Sequence, residues 1–211
     1  MSRRLKIGMK NGTYALIVGL LYIVLKLAFR LRVRGKRNAR RDGQYIAVAR
    51  HRSYWDAPAL AIALGAWNRV HFIARKGLMG GNAVLAGIIR YYSTIIDREN
   101  FGRADFRRML EAIKHERLVG IFPEGTTKHR TDAKAGAIHF AALTDKKLLP
   151  VNIEAAGPYP PRYPFGFPRL SVSIGQPVAV AELEADLGPQ VSRSERYRVM
   201  SERLMERVDN A

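Results

Sequence analysis

The segment Arg50-His51-Arg52-Ser53-Tyr54-Trp55-Asp56 sets a histidine and a carboxylate five positions apart. Imidazole changes charge near neutral pH, so it can take up and return a proton. A carboxylate on its other ring nitrogen fixes the tautomer and steadies the imidazolium. Alone, such a pair is weak evidence, because most are chance neighbours on a surface. A second candidate is Phe122-Pro123-Glu124-Gly125-Thr126-Thr127. Gly125 would let backbone N–H groups approach an anion closely, and the threonines add hydroxyl donors. The plain alternative is an ordinary strand-terminating turn. A third is Ile95-Ile96-Asp97-Arg98, whose arginine suits bidentate phosphate binding, although a single arginine at a strand end is more often a solvated charge.

These residues need a frame to bring them together. Short β-rich runs fall at 45–49, 70–74, 93–97, 118–122, 149–153 and 170–174. Helical stretches lie between several of them, at 57–66, 82–91, 105–115 and 134–143. In the third, Phe106, Met109, Leu110 and Ile113 keep helical spacing. The alternation predicts an α/β fold, a mostly parallel sheet with flanking helices. All three candidate segments then follow strand ends, where ligands bind in such sheets. Residues 157–168 hold five prolines in twelve positions and read as a loop. Its rings Tyr159, Tyr163, Phe165 and Phe167 either pack across the sheet end or dip into a membrane interface. Residues 76–81 are glycine-rich without a nucleotide-loop pattern and read as a loop. Ser192 and Glu195 form a capping-box pattern. They open a helix with Tyr197, Met200, Leu204 and Val208 on one face.

A chain of 211 residues fits one domain with a sizeable core. It has no cysteine, which excludes disulfides, thiolate metal sites and a cysteine nucleophile. None of His71, His115, His129 and His139 has a neighbour at metal-ligand spacing. His115 and His129 read as surface residues, and His71 and His139 as core ones. The net charge is +18 and unevenly spread: residues 1–41 hold twelve Lys or Arg and no acid. Such a block seeks anionic lipid or nucleic acid. Residues 14–25 inside it are an unbroken apolar run, interrupted afterwards by Lys26 and Arg30. The pattern favours residues 1–41 as a basic membrane-anchoring segment, embedded in one leaflet with both cations snorkelling to anionic head groups. A buried core helix and a true span are the alternatives. Residues 42–211 form the α/β domain. A nucleic-acid-binding module fits less well, since the basic residues do not interleave with stacking rings and no recognition motif is present.

Taken together, in order and spacing, these segments resemble the glycerolipid acyltransferase family, whose best-known members are the lysophosphatidic acid acyltransferases. The family's His-x4-Asp motif is matched by His51, Ser53 and Asp56, with Arg50 where the family usually has Asn. Its hydrophobic-Asp-Arg motif is matched by Ile96, Asp97 and Arg98. Phe-Pro-Glu-Gly-Thr is matched in full at 122–126, and a hydrophobic-Pro-Val run at 149–151. Lys134 and Gly136 correspond to a Lys-x-Gly, and 175–178 to a Gly-x-Pro-hydrophobic end. The resemblance covers about residues 30 to 180. It implies that 42–211 is an acyltransferase domain in which His51 and Asp56 are catalytic. Arg98, Glu124, Gly125 and Thr126 would then sit at the acceptor's phosphate and glycerol, with the Glu124 carboxylate holding an arginine or accepting from a hydroxyl, and Ser53 and Lys134 would also bind substrate. It further implies a membrane enzyme of the cytosolic face. The donor would be acyl-CoA or acyl carrier protein, the acceptor a lysophospholipid such as 1-acyl-glycerol-3-phosphate, with no metal or further cofactor. Other membrane acceptors, a glycolipid, an aminolipid or another lysolipid, stay open.

Overall fold

A computed structural model describes residues 3–123 and 135–211. The chain opens with α1 (Arg3–Ala28), followed by β1 (Arg32–Arg34), β2 (Tyr45–Val48), α2 (Asp56–Leu64), β3 (His71–Arg75), α3 (Ala83–Tyr92), β4 (Ser93–Ile96), α4 (Arg103–His115) and β5 (Leu118–Ile121). It continues with α5 (Gly136–Thr144), β6 (Lys147–Ala156), β7 (Arg169–Ile174), α6 (Val180–Glu184) and α7 (Arg193–Asp209). The strands form one sheet in the order β1-β7-β6-β2-β5-β3-β4. Every neighbouring pair is parallel except β6 and β7.

β2 and β5 lie inside the sheet and are buried along their whole length, as expected of strands covered on both faces. Their side chains alternate between two cores. Tyr45 and Ala47 join the layer made by α1 and α2. Ile46 and Val48 join the layer made by α4, α5 and α7, with Ile113, Ile138 and Leu204. All six strands read from the sequence are present, as is the Ser192 cap, whose hydroxyl accepts from Glu195 N–H at 3.3 Å. Residues 76–80 form a 3-10 turn. β1 and α6 carried too few residues to announce themselves in the sequence.

Ile7–Ala28 of α1 is long and apolar enough to cross a bilayer, yet one face of the helix is committed to the protein. Tyr14, Val18 and Leu25 recur at helical spacing and are buried, on the side that packs against α2. Leu16, Leu20, Ile23, Val24 and Leu27 are exposed. At the helix end Leu31 N–H donates to Leu25 O at 3.1 Å. Arg30 there takes a left-handed φ of 48°, which turns the chain into β1. The first 41 residues thus supply an edge strand and part of the core. Phe29, 0% exposed, packs on the rings of Trp55 and Phe167. Phe29→Ala is expected to cost about 3–5 kcal/mol of unfolding free energy, as for other buried aromatic truncations. Denaturant titration in detergent checks this; a loss below about 1 kcal/mol would mean the segment contributes little to the core.

Candidate active site

The turn between β2 and α2 holds His51 and Asp56 together. His51 Nδ1 lies 3.1 Å from Asp56 Oδ2. The same oxygen accepts from the backbone N–H of Arg52 at 2.6 Å and of Ser53 at 2.7 Å. The carboxylate therefore folds back over its own turn, at the first residue of α2, where the helix dipole favours negative charge. Its other oxygen, Oδ1, accepts from the Tyr159 hydroxyl. Asp56 is 0% exposed, so these donors replace water around a buried anion. The His51 side chain keeps 21% exposure and stacks on Phe122, ring centroids 4.4 Å apart.

His51 opens onto a cavity of about 420 Å³, within the range of ligand pockets. Its walls are apolar: Tyr14, Ile17, Val18 and Leu21 from α1, Pro58 and Ala61 from α2, and Leu85, Ile88, Ile89 and Tyr92 from α3. Arg75 and Arg98 join His51 in lining it, and all three lie at the carboxyl ends of parallel strands. Phe72 pairs in register with Ser93, and Arg75 with Ile96. The cavity therefore extends along the strands for about 10 Å, three residues' rise, from the arginines toward Phe72. Burial lowers the pKa of the Arg98 guanidinium, and the positive charge of Arg75 lowers it further. Two cations beside a histidine in an apolar wall form a place for an anion.

The candidate residues thus divide. His51, Asp56 and Arg98 come together. Ser53 is 2% exposed and does not line the cavity; its hydroxyl accepts from Trp55 N–H at 3.3 Å and braces the turn. Arg50 turns away to form a two-pronged pair with Asp209 of α7, both contacts 2.6 Å. Glu124, Gly125, Thr126, Thr127, His129 and Lys134 lie outside the described residues. His71 is buried, with Nε2 2.9 Å from Thr94 Oγ1, and burial lowers its pKa to about 4. His139 Nδ1 lies 3.2 Å from Tyr197 Oη, and His115 is exposed beside Glu111. Among the described residues no cluster of His, Asp or Glu could hold a metal.

Three side chains of the site escaped the sequence reading: Arg75, Phe122 as the ring beneath His51, and Tyr159. A signal existed for Arg75, which closes one strand as Arg98 follows the next. For Tyr159 there was none, since it lies 103 residues from Asp56. The proline-rich loop divides its rings. Tyr159 and Phe167 pack inward, Tyr163 sits edge-on to Phe167 and accepts from Trp55 Nε1–H at 2.8 Å through its hydroxyl, and Phe165 is 92% exposed.

Comparison with known proteins follows the same lines. The model of the Acyltransferase family matches residues 30–154. A 1-acyl-sn-glycerol-3-phosphate acyltransferase of Bacillus subtilis (strain 168) is 24% identical over 92% of this chain and 94% of its own length. One of Streptococcus pneumoniae (strain ATCC BAA-255 / R6) is 28% identical over 68% of this chain and 53% of its own. The crystal structure of the 1-acyl-sn-glycerophosphate (LPA) acyltransferase PlsC from Thermotoga maritima superposes with a TM-score of 0.66 at 25% identity, covering all of this chain and 83% of that one.

Proposed function

Since this chain belongs to the acyltransferase family, we propose that it transfers a fatty acyl group from acyl-CoA or acyl carrier protein to the free hydroxyl of 1-acyl-glycerol-3-phosphate, giving phosphatidic acid. The observation that carries the reading is the shared cavity: a carboxylate-braced imidazole, two arginines and a long apolar wall meet in one space. That set matches an acceptor with a phosphate at one end, a hydroxyl in the middle and alkyl chain beyond. The curated relatives are named for this acceptor.

The chemistry runs through one base. Asp56 holds Nδ1, so Nε2 takes the proton of the acceptor hydroxyl. The oxygen attacks the thioester carbonyl and forms a tetrahedral oxyanion. When the C–S bond breaks, the imidazolium returns its proton to the leaving thiolate. No acyl-enzyme is required, and proximity within the cavity supplies much of the remaining rate.

The enzyme sits on the cytosolic face of the membrane in this reading. α1 keeps its inner face on the protein and offers its outer apolar face, with the basic residues around it, to one leaflet. With one face held by the protein, α1 is read as lying in one leaflet, its outer apolar face toward the acyl chains. The acyl chains of both substrates then reach the cavity from the lipid side, past α1 and α3.

Purified enzyme given a panel of acyl-CoA and acyl carrier protein donors, with phosphorylated and neutral lyso-acceptors, is expected to yield phosphatidic acid by mass spectrometry. Faster product formation with a glycolipid, an aminolipid or a neutral lysolipid would replace the acceptor assignment while keeping the base.

A further inference from the structure

We propose that Tyr159 is a positioning residue for the His51–Asp56 pair, its phenol fixing the carboxylate that braces the imidazole. The proposal rests on the reading of His51 as the base. Asp56 Oδ2 already serves three groups, His51 Nδ1 and two backbone N–H groups. Among the described residues, the partner of Oδ1 is the Tyr159 hydroxyl. A carboxylate held at one oxygen can still rotate about its Cβ–Cγ bond; held at both, its plane is set. The plane decides whether the Oδ2 lone pair points at Nδ1, and so which way the ring faces the cavity.

The phenol is suited to the task. It is largely buried, and burial together with the negative charge of Asp56 raises its pKa far above neutral, so it remains a proton donor. The Arg52 guanidinium lies 5.7 Å over its ring and itself donates to Ile153 O, which ties the loop's first aromatic to β6. Tyr159 thus reaches the carboxylate oxygen that these backbone donors do not, carried by the loop between β6 and β7. Its neighbours Phe167 and Tyr163 anchor the same loop on Phe29 and Trp55.

Removing the hydroxyl has a signed consequence. Without its donor, Oδ1 keeps more negative charge, the imidazolium is held more strongly, and the ring releases its proton only at higher pH. The other charges around the pair, Arg52 above Tyr159 and Arg75 and Arg98 across the cavity, are the same in both enzymes, and the Ser53 hydroxyl that also bonds the phenol is neutral, so the change in charge balance comes from the phenol.

Tyr159→Phe is expected to lower kcat about 5- to 30-fold, part of the 10²- to 10⁴-fold that a general base supplies. KM for donor and acceptor should change less than about twofold. The acid limb of the kcat–pH profile should move up by about half a unit or more. Replacing Tyr159 with 3-fluorotyrosine, which keeps the ring and strengthens the donor, should move the limb down. A limb that ignores both changes overturns the proposal, including where Tyr159→Phe is merely less stable. In the His51→Ala background, Tyr159→Phe should cost nothing further, and an added loss there would mean that the phenol acts elsewhere. If His51→Ala itself keeps turnover, the base reading falls. If His51→Ala is inactive and Tyr159→Phe has wild-type kcat and pH profile, only the role of Tyr159 falls.

Discussion

His51→Ala is expected to lower kcat by about 10²- to 10⁴-fold, the usual worth of a general base, while KM for both substrates stays near its wild-type value. The substitution isolates chemistry from folding because of where the ring sits. It is partly exposed, it bonds a carboxylate oxygen and stacks on Phe122, and loss of a ring stack costs about 0.5–1.5 kcal/mol. Thermal unfolding of the variant should therefore stay within a few degrees of wild type. Asp56→Ala would be a poorer test. It would strand the Arg52 and Ser53 N–H groups and the Tyr159 hydroxyl in a buried place, each at about 1–3 kcal/mol, so lost activity could reflect lost fold. Single-turnover transfer with purified His51→Ala, beside circular dichroism of the same sample, checks the expectation. Wild-type turnover would remove the base from the mechanism.

The sheet and its helices were legible because their signals are local. Buried strands of four or five β-formers, and helices such as α4 with apolar residues on one face, write their periods into the sequence. The pairing of His51 with Asp56 was legible for the same reason, since a turn and the first residue of a helix set both groups. What the sequence concealed depends on distant chain segments. β1 has three residues and gains its place by pairing with β7, more than a hundred residues away. Ser53 matched a motif position, yet the fold buries it inside the turn, where its hydroxyl serves the backbone. The apolar run of α1 suggested an anchor by composition. Composition does not reveal that Tyr14 and Val18 wall a cavity while Leu16 and Leu20 face outward. That division needs α2 and α3 in place. Arg75 lay between the two kinds of case, visible as a strand end but meaningful only once β3 and β4 lie side by side.

Arg98→Ala is expected to raise KM for a phosphorylated acceptor about 10- to 100-fold, the equivalent of one lost charge-assisted hydrogen bond at about 1.5–3 kcal/mol. kcat at saturation should change less than about threefold, because the phosphate stays bound in the same way as the hydroxyl reacts. The electrostatics explain the size. Arg98 carries its charge at a cost, partly out of water and near the like charge of Arg75, and both effects lower its pKa. A phosphate entering the cavity would offset the like charge of Arg75 beside Arg98. Arg75→Ala should act in the same direction, since the two cations serve one anion. Initial rates with 1-acyl-glycerol-3-phosphate and with a neutral monoacylglycerol, across both variants, separate the cases. A KM that rises equally for both acceptors would mean that Arg98 shapes the cavity instead of reading the phosphate.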